Sequence, residues 1–495
     1  MIGRIVKEAA IDHREGTSGL IFNEPLLWER GSKGRTAFSM PKCDVPEAAV
    51  DADLVRDDLD LPDLSELEVV RHYTRLSQWN FGVDSGMYPL GSCTMKYNPK
   101  INDKLATLPG FARAHPLQDD ELSQGVLEMV WNLEQFLSAI TGLGATSLQP
   151  AAGAHGEYAG MQVFAAYHRS QGRQRTKILI PDTAHGTNPA SAALCGYTSV
   201  GIKIGADGIL DPAEVAELMD EDTAGIMITN PNTLGLFESN LKEIADIVHA
   251  KGGLLYGDGA NMNAILGVAD LGRIGVDVLH FNLHKTFSTP HGGGGPGSGP
   301  ICVAGHLEQF LPVPRVVKDG EMFRVVDECG TALGSLHPFF GQIGVMLRAY
   351  CYILSLGADG LRRTSEMAVL NANYIKEKLK DVYELAFDQP CMHEAVFSDG
   401  KQKDHGVTTL DIAKRLMDLG YHPPTIYFPL IVHGAIMIEP TESESKQQID
   451  AFIEAMRAIA IEAEQDPELL KASPQRFKVG RLDEVAAARK PVLQG

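Results

Sequence analysis

The chain has 495 residues, of which 44% are hydrophobic and 22% are charged, an ordinary balance for a soluble globular protein. Its 44 Lys and Arg against 64 Asp and Glu give a formal net charge of −20, which argues against a surface for nucleic acid or anionic membrane. No apolar run approaches the roughly 18 residues of a membrane span, and residues 1–16 do not have the pattern of a signal peptide. The seven cysteines are widely spaced without a C-x-x-C pair, so we expect reduced thiols and a cytoplasmic protein.

Residues 1–70 have the character of an extended arm, because short apolar groups stand among polar and charged residues. The segment 44–68 is rich in Asp and Glu. Two interpretations stay open: a solvated extension, or an arm that wraps a partner subunit. In the second, the contacts would come from Leu54, Val55, Leu59 and Leu61.

A large α/β domain is predicted over residues 71–340. Apolar residues at helical spacing predict a helix that ends at Gly142, and a second helix opens within 149–156 and runs to about Ser170. Short apolar segments then alternate with helical stretches at 211–220 and 241–251, which indicates βαβ units and a mainly parallel sheet. The predicted strands are 177–181, 197–204, 225–229, 254–258 and 277–281.

A small α+β domain is predicted over residues 341–465, and the polar tail 466–495 is expected to dock loosely. The predicted helices are 342–356, 363–380, 408–419 and 445–464. The predicted strands are 394–398, 425–431 and 435–439.

Two candidate catalytic residues fall at predicted strand ends, where parallel sheets place their ligand sites. Asp258 ends one strand, and Lys285 follows the next after a gap that fits one helix. Both side chains should therefore lie at one edge of the sheet, with room for a planar ligand between them. A lysine that forms a Schiff base and a carboxylate that keeps a pyridine nitrogen protonated are the needs of a pyridoxal-phosphate enzyme.

A phosphate site is suggested by the small residues at the start of the second helix, where free N–H groups and the helix dipole attract anions. The motif comprises Gly153, Ala154, His155 and Gly156. Taken alone it is weak, since small residues begin many helices. His155 itself is either part of a site or an ordinary turn histidine.

Other polar residues at strand ends leave two interpretations open. His185 either stacks on a flat cofactor ring or is a hydrogen-bonded turn residue. Asn232 and Thr233 either reach the hydroxyl side of that ring or belong to the turn that Asn-Pro predicts. His280 and His284 have metal-ligand spacing for a helix, but they fall at a strand end without a nearby carboxylate pair, so no metal is predicted.

The segment 89–98 is an unusual cluster of small hydroxyls, a thiol and a cation. Its composition suits a substrate carboxylate, although a plain turn would fit equally well. The candidate contacts are Ser92, Thr94 and Lys96.

Together these motifs resemble the glycine decarboxylases, the pyridoxal-phosphate P-proteins of the glycine cleavage system, and in particular subunit 2 of the two-subunit bacterial form. The resemblance covers most of the chain, and the motifs are specific only in combination. The matching stretches are Tyr88–Asn98, Gln149–Glu157, His185–Ala190, Thr229–Glu238, Gly257–Asn263 and Asn282–Pro300.

The resemblance implies an aspartate-aminotransferase-like fold, fold type I, and a set of roles. Lys285 would hold pyridoxal 5'-phosphate as an internal aldimine, Asp258 would pair with the pyridine nitrogen, and His185 would stack on the ring. Gly153, Ala154 and neighbouring N–H groups would bind the phosphate. The carboxylate pocket, which controls decarboxylation, would draw on Ser92, Thr94, Lys96 and His284.

The resemblance also implies partners. Glycine would lose CO2, and its aminomethyl group would pass to the lipoyl disulfide of the H-protein carrier. The single-chain form of the family is about twice this length, with two related halves. A homologous first subunit and an α2β2 heterotetramer are therefore expected.

Three other interpretations compete. A cysteine desulfurase needs a nucleophilic cysteine beyond the lysine, for which Cys302 and Cys329 are available, but Cys302 falls in a strand-like stretch. An aminotransferase needs an arginine in the small domain, where residues 390–440 offer only Arg415. A non-catalytic scaffold is disfavoured because both Lys285 and Asp258 are intact.

Overall fold

The computed structural model divides the chain into two compact units, Met1–Gly82 with Pro474–Gly495, and Val83–Ser473. Cys329 and residues 1–23 of the predicted arm lie outside the residues it describes. No helix within the described ranges is long and apolar enough to cross a membrane. The described ranges are 24–56, 59, 61–292, 297–328, 330–477 and 480–492.

The first unit is built on one amphipathic helix. That helix begins with a capping box, in which Ser65 and Glu68 satisfy each other's backbone N–H groups. Glu24 is buried against His72 and Arg75, so its charge is paired. The predicted contact residues Leu54, Val55, Leu59 and Leu61 are all exposed. The elements of this unit are Leu27–Glu29, Ala52–Leu54, Glu66–Ser77 and Glu484–Arg489.

A seven-stranded sheet forms the centre of the second unit. Its order is β1-β7-β6-β5-β4-β2-β3, and only β7 runs antiparallel to its neighbours. The mainly parallel sheet was therefore predicted correctly. Its strands are β1 (Ala145–Ser147), β2 (Lys177–Pro181), β3 (Thr198–Ile202), β4 (Thr223–Thr229), β5 (Leu254–Gly259), β6 (Val278–Phe281) and β7 (Ile301–Val303).

Helices cover both faces of this sheet. Successive side chains of a strand point to opposite faces, so apolar residues along each strand need a packing partner on both sides. On β5, Leu255 packs into one hydrophobic cluster with residues of the helix Asp120–Thr141, which ends at Gly142 in a left-handed conformation as predicted. Tyr256 packs into the opposite cluster with residues of the helix Gly153–Ser170. The remaining α-helices of this part are Lys100–Ala106, Pro109–Ala112, Thr187–Leu194, Pro212–Leu218, Leu241–Ala250, Leu271–Ile274 and Leu283–Thr286, with 3-10 helices Met262–Ala264 and Gly305–Phe310.

A four-stranded antiparallel sheet follows, in the order β10-β11-β13-β12, after a hairpin of β8 and β9 that no sequence pattern predicted. The strands are β8 (Arg315–Asp319), β9 (Met322–Val326), β10 (Glu384–Leu385), β11 (Ala395–Ser398), β12 (Thr425–Ile426) and β13 (Ala435–Ile438). The helices are Ile343–Leu379, Gly400–Lys403, Thr409–Asp418, Lys446–Gln465 and Pro467–Ala472.

Two predicted boundaries differ from the structure. The helices expected at 342–356 and 363–380 form one element, interrupted by the non-helical conformation of Gly357. The strand expected at 425–431 is wrong beyond Ile426, because Tyr427 has a positive φ and Pro429 offers no N–H to a sheet.

The close packing of one helix on β5 yields a stability prediction. A Cβ at Gly160 would come 2.4 Å from the Tyr256 ring, which is fully buried. Gly160→Ala should therefore lower the free energy of unfolding by about 1–3 kcal/mol, the usual cost of overpacking, measured by denaturant titration. Gly125→Ala, at a helical glycine with no atom within 4 Å, should instead gain up to ~1 kcal/mol. Equal effects of the two substitutions would contradict the packing argument.

Candidate active site

A cavity of ≈ 500 Å³ lies at the carboxyl ends of β4, β5 and β6, where the parallel sheet was expected to place a site. It is lined by most of the residues selected from the sequence. Those on the expected phosphate and ring side are Gly153, Ala154, His185 and Thr233. Those on the expected reactive side are Ser92, Asp258, His284 and Lys285.

The remaining candidates do not line the cavity. The Asn232 side chain holds its own loop, accepting from the N–H groups of Leu234 and Leu236. His155 Nδ1 accepts from the backbone N–H of Ala151 at 3.2 Å. Each of these two residues therefore supports a wall of the cavity from outside.

Thr94 and Lys96 are buried behind the same cavity. Thr94 donates through its backbone N–H and its hydroxyl to Glu439. The Lys96 Nζ lies 2.8 Å from both Glu442 Oε1 and Asn263 Oδ1. These bonds anchor the segment that carries Ser92.

Lys285 lies in the one-turn helix Leu283–Thr286, directly after β6. Its Nζ donates to the backbone carbonyl of Ser92 at 2.7 Å. The ammonium is thus held by a neutral oxygen, and its bond to Ser92 fixes its position in the cavity wall.

Asp258 is buried, at 3% exposure, and pairs in register with Thr229 of β4 and His280 of β6. Its Oδ1 accepts from the N–H of Ala260 at 2.9 Å and lies 3.6 Å from His280 Nε2. When the Asn188 amide is oriented with its nitrogen towards the acids, it donates to Asp258 Oδ2 at 3.1 Å. These donors stabilise the carboxylate in a buried position.

Glu157 is a second buried acid beside Asp258, and nothing in the sequence pattern singles it out. Burial, and then the charge of Asp258, raises the pKa of Glu157 to about 8. It accepts from Thr187 Oγ1 at 2.7 Å and, in the same orientation of Asn188, from that amide at 2.8 Å. Glu157 therefore carries a proton near neutral pH.

No metal was predicted here because no carboxylate pair was evident near His280. That premise was wrong, since the fold brings Glu157 and Asp258 to within 4.8 Å of the His280 ring.

The histidines of the cavity are neutral bases. Burial, and then the neighbouring His291 and Lys285, lowers the pKa of His284 to about 3. His284 Nδ1 accepts from the N–H of Ser298 at 3.2 Å. His185 is exposed and contacts Thr187 Oγ1 at 3.0 Å, which leaves its ring accessible to a planar ligand.

The cavity walls fit pyridoxal phosphate. At the start of the helix Gly153–Ser170, a Cβ on Gly153 would come 2.6 Å from Asn282 Oδ1, so the glycine permits a close backbone approach. Buried polar atoms without a hydrogen-bond partner among the described residues line the same space: Thr229 Oγ1, Asn261 Oδ1 and Asn282 Oδ1. A polar ligand or ordered water would satisfy such atoms.

Solved structures with similar folds are pyridoxal-phosphate enzymes. A glycine decarboxylase (P-protein) of the glycine cleavage system, in inhibitor-bound form, superposes with a TM-score of 0.70 at 20% identity, covering 82% of this chain and 93% of that one. The cysteine desulfurase CsdA of Escherichia coli gives 0.60 at 14% identity, covering 77% and 95%. At such identities the likeness establishes the fold, which is that of the aspartate-aminotransferase-like, fold type I class.

Sequence relatives are far closer. The family model described as "Glycine cleavage system P-protein" matches residues 42–321, and "Glycine dehydrogenase, C-terminal domain" matches 364–473. A probable glycine dehydrogenase (decarboxylating) subunit 2 of Staphylococcus haemolyticus is 53% identical over 95% of this chain and 97% of its own. The corresponding protein of Caldanaerobacter subterraneus subsp. tengcongensis is 54% identical over 95% and 98%.

The chain belongs to the glycine cleavage system P-protein family, among its glycine dehydrogenase (decarboxylating) subunit 2 proteins. The family, the fold class and the enzyme class expected from the sequence motifs are confirmed.

The protonated state of Glu157 yields a prediction about pH. Its pKa is higher in the folded than in the unfolded chain, so the folded state binds the extra proton and loses stability as pH rises from about 4.5 to about 8. Glu157→Gln, a permanent neutral mimic, should remove a slope of up to ~1.4 kcal/mol per pH unit from the unfolding free energy. Denaturant titrations across that range should show the variant and wild type equal at the acidic end and the variant more stable at the alkaline end. Glu128→Gln, on an exposed helix face, is the matched control, and parallel curves for all three proteins would refute the assignment.

Proposed function

We propose that this chain is the catalytic, pyridoxal-phosphate-binding subunit of a glycine decarboxylase, with Lys285 as the covalent attachment point of the cofactor. One observation carries the proposal: Lys285 and Asp258 line a single cavity that also contains the start of the helix Gly153–Ser170. The membership of the chain in the P-protein family supports the same assignment.

The cofactor, when bound, supplies an electron sink for the charge left on glycine when its carboxylate departs as CO2. Asp258 would keep the pyridine nitrogen protonated, and the Asn188 amide and the Ala260 N–H keep its carboxylate in place. His185 offers an open ring face for stacking. The N–H groups beside Gly153 and Ala154 bind the phosphate, and Thr233 lies at the edge of the same space.

The substrate carboxylate is assigned to the wall formed by Ser92 and His284, which both line the cavity. Neutral His284 leaves the carboxylate without a strong counter-charge there, which favours its loss as neutral CO2. Thr94 and Lys96 contribute from behind, by fixing the backbone that presents Ser92.

The aminomethyl group is transferred to the lipoyl disulfide of an H-protein carrier. The bond between Cα and the carboxylate breaks, a C–S bond forms, the S–S bond is reduced, and the second sulfur takes a proton. The subunit 2 designation of the relatives supports a homologous first subunit, and we infer an α2β2 assembly. The exposed Leu54, Val55, Leu59 and Leu61 are the proposed contacts with it.

Removal of the attachment point provides the direct test. Lys285→Ala should abolish both the visible absorbance of protein-bound pyridoxal phosphate and the labelling of the Lys285 peptide after borohydride reduction, because no other amine takes its place. Lys242→Ala, at an exposed lysine paired with Asp246, is the control and should retain both signals. Undiminished labelling in Lys285→Ala, at a different lysine, would show that the attachment point is wrong.

Dependence on a first subunit is tested separately. The purified chain alone should exchange the glycine carboxyl with CO2 only weakly, and co-expression with a homologous first subunit should restore full exchange in the presence of lipoylated carrier. Full exchange by the chain alone would refute the requirement for a partner.

A further inference from the structure

Two glutamates lie directly behind the cavity wall, and the proposed chemistry does not use them. Glu394 precedes β11 and Glu439 follows β13, and both are 0% exposed. Each offers a carboxylate oxygen within 4.8 Å of the other. Two ionised carboxylates this close and this deeply buried cost several kcal/mol each, so a proton or a cation must offset their charge.

Both glutamates hold the backbone that contacts Lys285. Glu394 Oε2 accepts from the N–H of Ser92 at 2.7 Å, and Glu439 Oε2 accepts from the N–H of Thr94 at 3.1 Å. Ser92 has a φ of 60°, a left-handed conformation that costs a non-glycine residue about 1–3 kcal/mol. The glutamates therefore maintain the strained turn whose carbonyl accepts from Lys285 Nζ.

The hydrogen bonds are unequal, and this inequality locates the proton. Glu439 accepts from both the N–H and the hydroxyl of Thr94, which favours its charged form. Glu394 accepts only from the N–H of Ser92, and its Oε1 is buried without a partner among the described residues, so its charged form is the less stabilised of the two. Burial, and then the charge of Glu439, raises the pKa of Glu394 well above its usual value, whereas burial raises the pKa of Glu439 to about 7.

His393 is the third member of the cluster. Its ring is 0% exposed, lies within the same 4.8 Å, and has no hydrogen-bond partner at either nitrogen within the described part of the chain. Burial, and then Lys285, lowers the pKa of His393 to about 3, so the ring is neutral. A cation could bind these three groups, but the charge of Lys285 acts on all of them and opposes a second positive ion.

We propose that Glu394 and Glu439 share one proton above neutral pH, carried by Glu394, and act as positioning residues that fix Ser92, and through it Lys285. The groups that face this pair are Lys285, His393, Cys93 and Glu442. The inference rests on the proposed role of Lys285, although the proton itself is independent of that role.

The number of protons can be counted by infrared spectroscopy of the cofactor-free protein above pH 7. One shared proton predicts that Glu394→Gln loses one equivalent of the carboxylic-acid C=O band, and that Glu394→Gln with Glu439→Gln loses no more. A loss of two equivalents in the double variant would show two neutral acids, and no loss would show two carboxylates; either result overturns the proposal. Glu134→Gln, at another buried glutamate, is the reference substitution: burial raises the pKa of Glu134 to about 8, so its band should fade through that pH.

The positioning role is tested by rescue. Glu394→Ala leaves the Ser92 N–H without an acceptor and should speed hydrogen exchange of the segment 90–94 roughly tenfold, whereas Glu394→Gln keeps an acceptor oxygen and should restore protection. Equal exchange in the two variants would overturn the role.

A spectroscopic titration links the pair to Lys285. Since the pKa of Glu439 is about 7, the absorbance of bound pyridoxal phosphate should show a step near that pH in wild type and in Glu134→Gln. The step should be absent in Glu439→Gln, and its persistence there would contradict the coupling.

Metal analysis of the purified wild type completes the test. Suppose that a stoichiometric metal ion is found and is lost on the Glu394→Gln and Glu439→Gln substitutions. A cation would then offset the charge of the pair in place of the proton, and the proposal would be overturned. A different outcome would refute the proposed function but leave this inference standing. In it, infrared spectroscopy finds the one proton, while borohydride reduction labels a lysine other than Lys285.

Discussion

The hydrogen bond from Lys285 Nζ to the carbonyl of Ser92 is the contact on which the geometry of the site depends, because it joins two separately built sheets. Lys285 is placed by β6 of the parallel sheet. Ser92 belongs to a segment that extends the antiparallel sheet, through a bridge between Leu90 and Ile438. Gly91 permits this approach, since a Cβ there would come 2.2 Å from the Met437 side chain. The position of the lysine thus depends on packing in both sheets.

Charge balance is the second constraint on this site. The cavity and its walls contain the acids Asp258, Glu157, Glu394 and Glu439. Full ionisation of all four beside Lys285 would leave several uncompensated charges at low dielectric, which proteins avoid by retaining protons. The pKa of Glu157 and that of Glu394 are raised accordingly. On the ring side, Asp258 accepts two hydrogen bonds, from the N–H of Ala260 and from the amide of Asn188.

The sequence predicted those residues of the site that lie at the ends of parallel strands. Asp258 and Lys285 end adjacent parallel strands, so their proximity follows from topology alone. Glu394 is 302 residues from Ser92 along the chain, and Glu439 is 345 residues from Thr94. No local sequence pattern predicts contacts over such separations. Their signal in the sequence is weak, since each is an acid at one end of a short apolar run. The burial of Lys96 depends equally on tertiary contacts, and so does the bond that the Asn232 amide donates to the carbonyl of Gly208.

The fold alone would admit other chemistries, and two described side chains argue against them. Cys302, the described candidate for a desulfurase nucleophile, is fully buried in β7, and burial raises its pKa to about 12. Arg415, the candidate for an aminotransferase carboxylate site, is bound at 2.8 Å through two nitrogens to Glu462. A thiol buried in the core cannot attack a ligand. The Arg415 guanidinium cannot bind a substrate carboxylate without losing its bonds to Glu462. The wall assigned to the substrate carboxylate is left with Ser92 and the neutral His284, which suits a carboxylate that must depart.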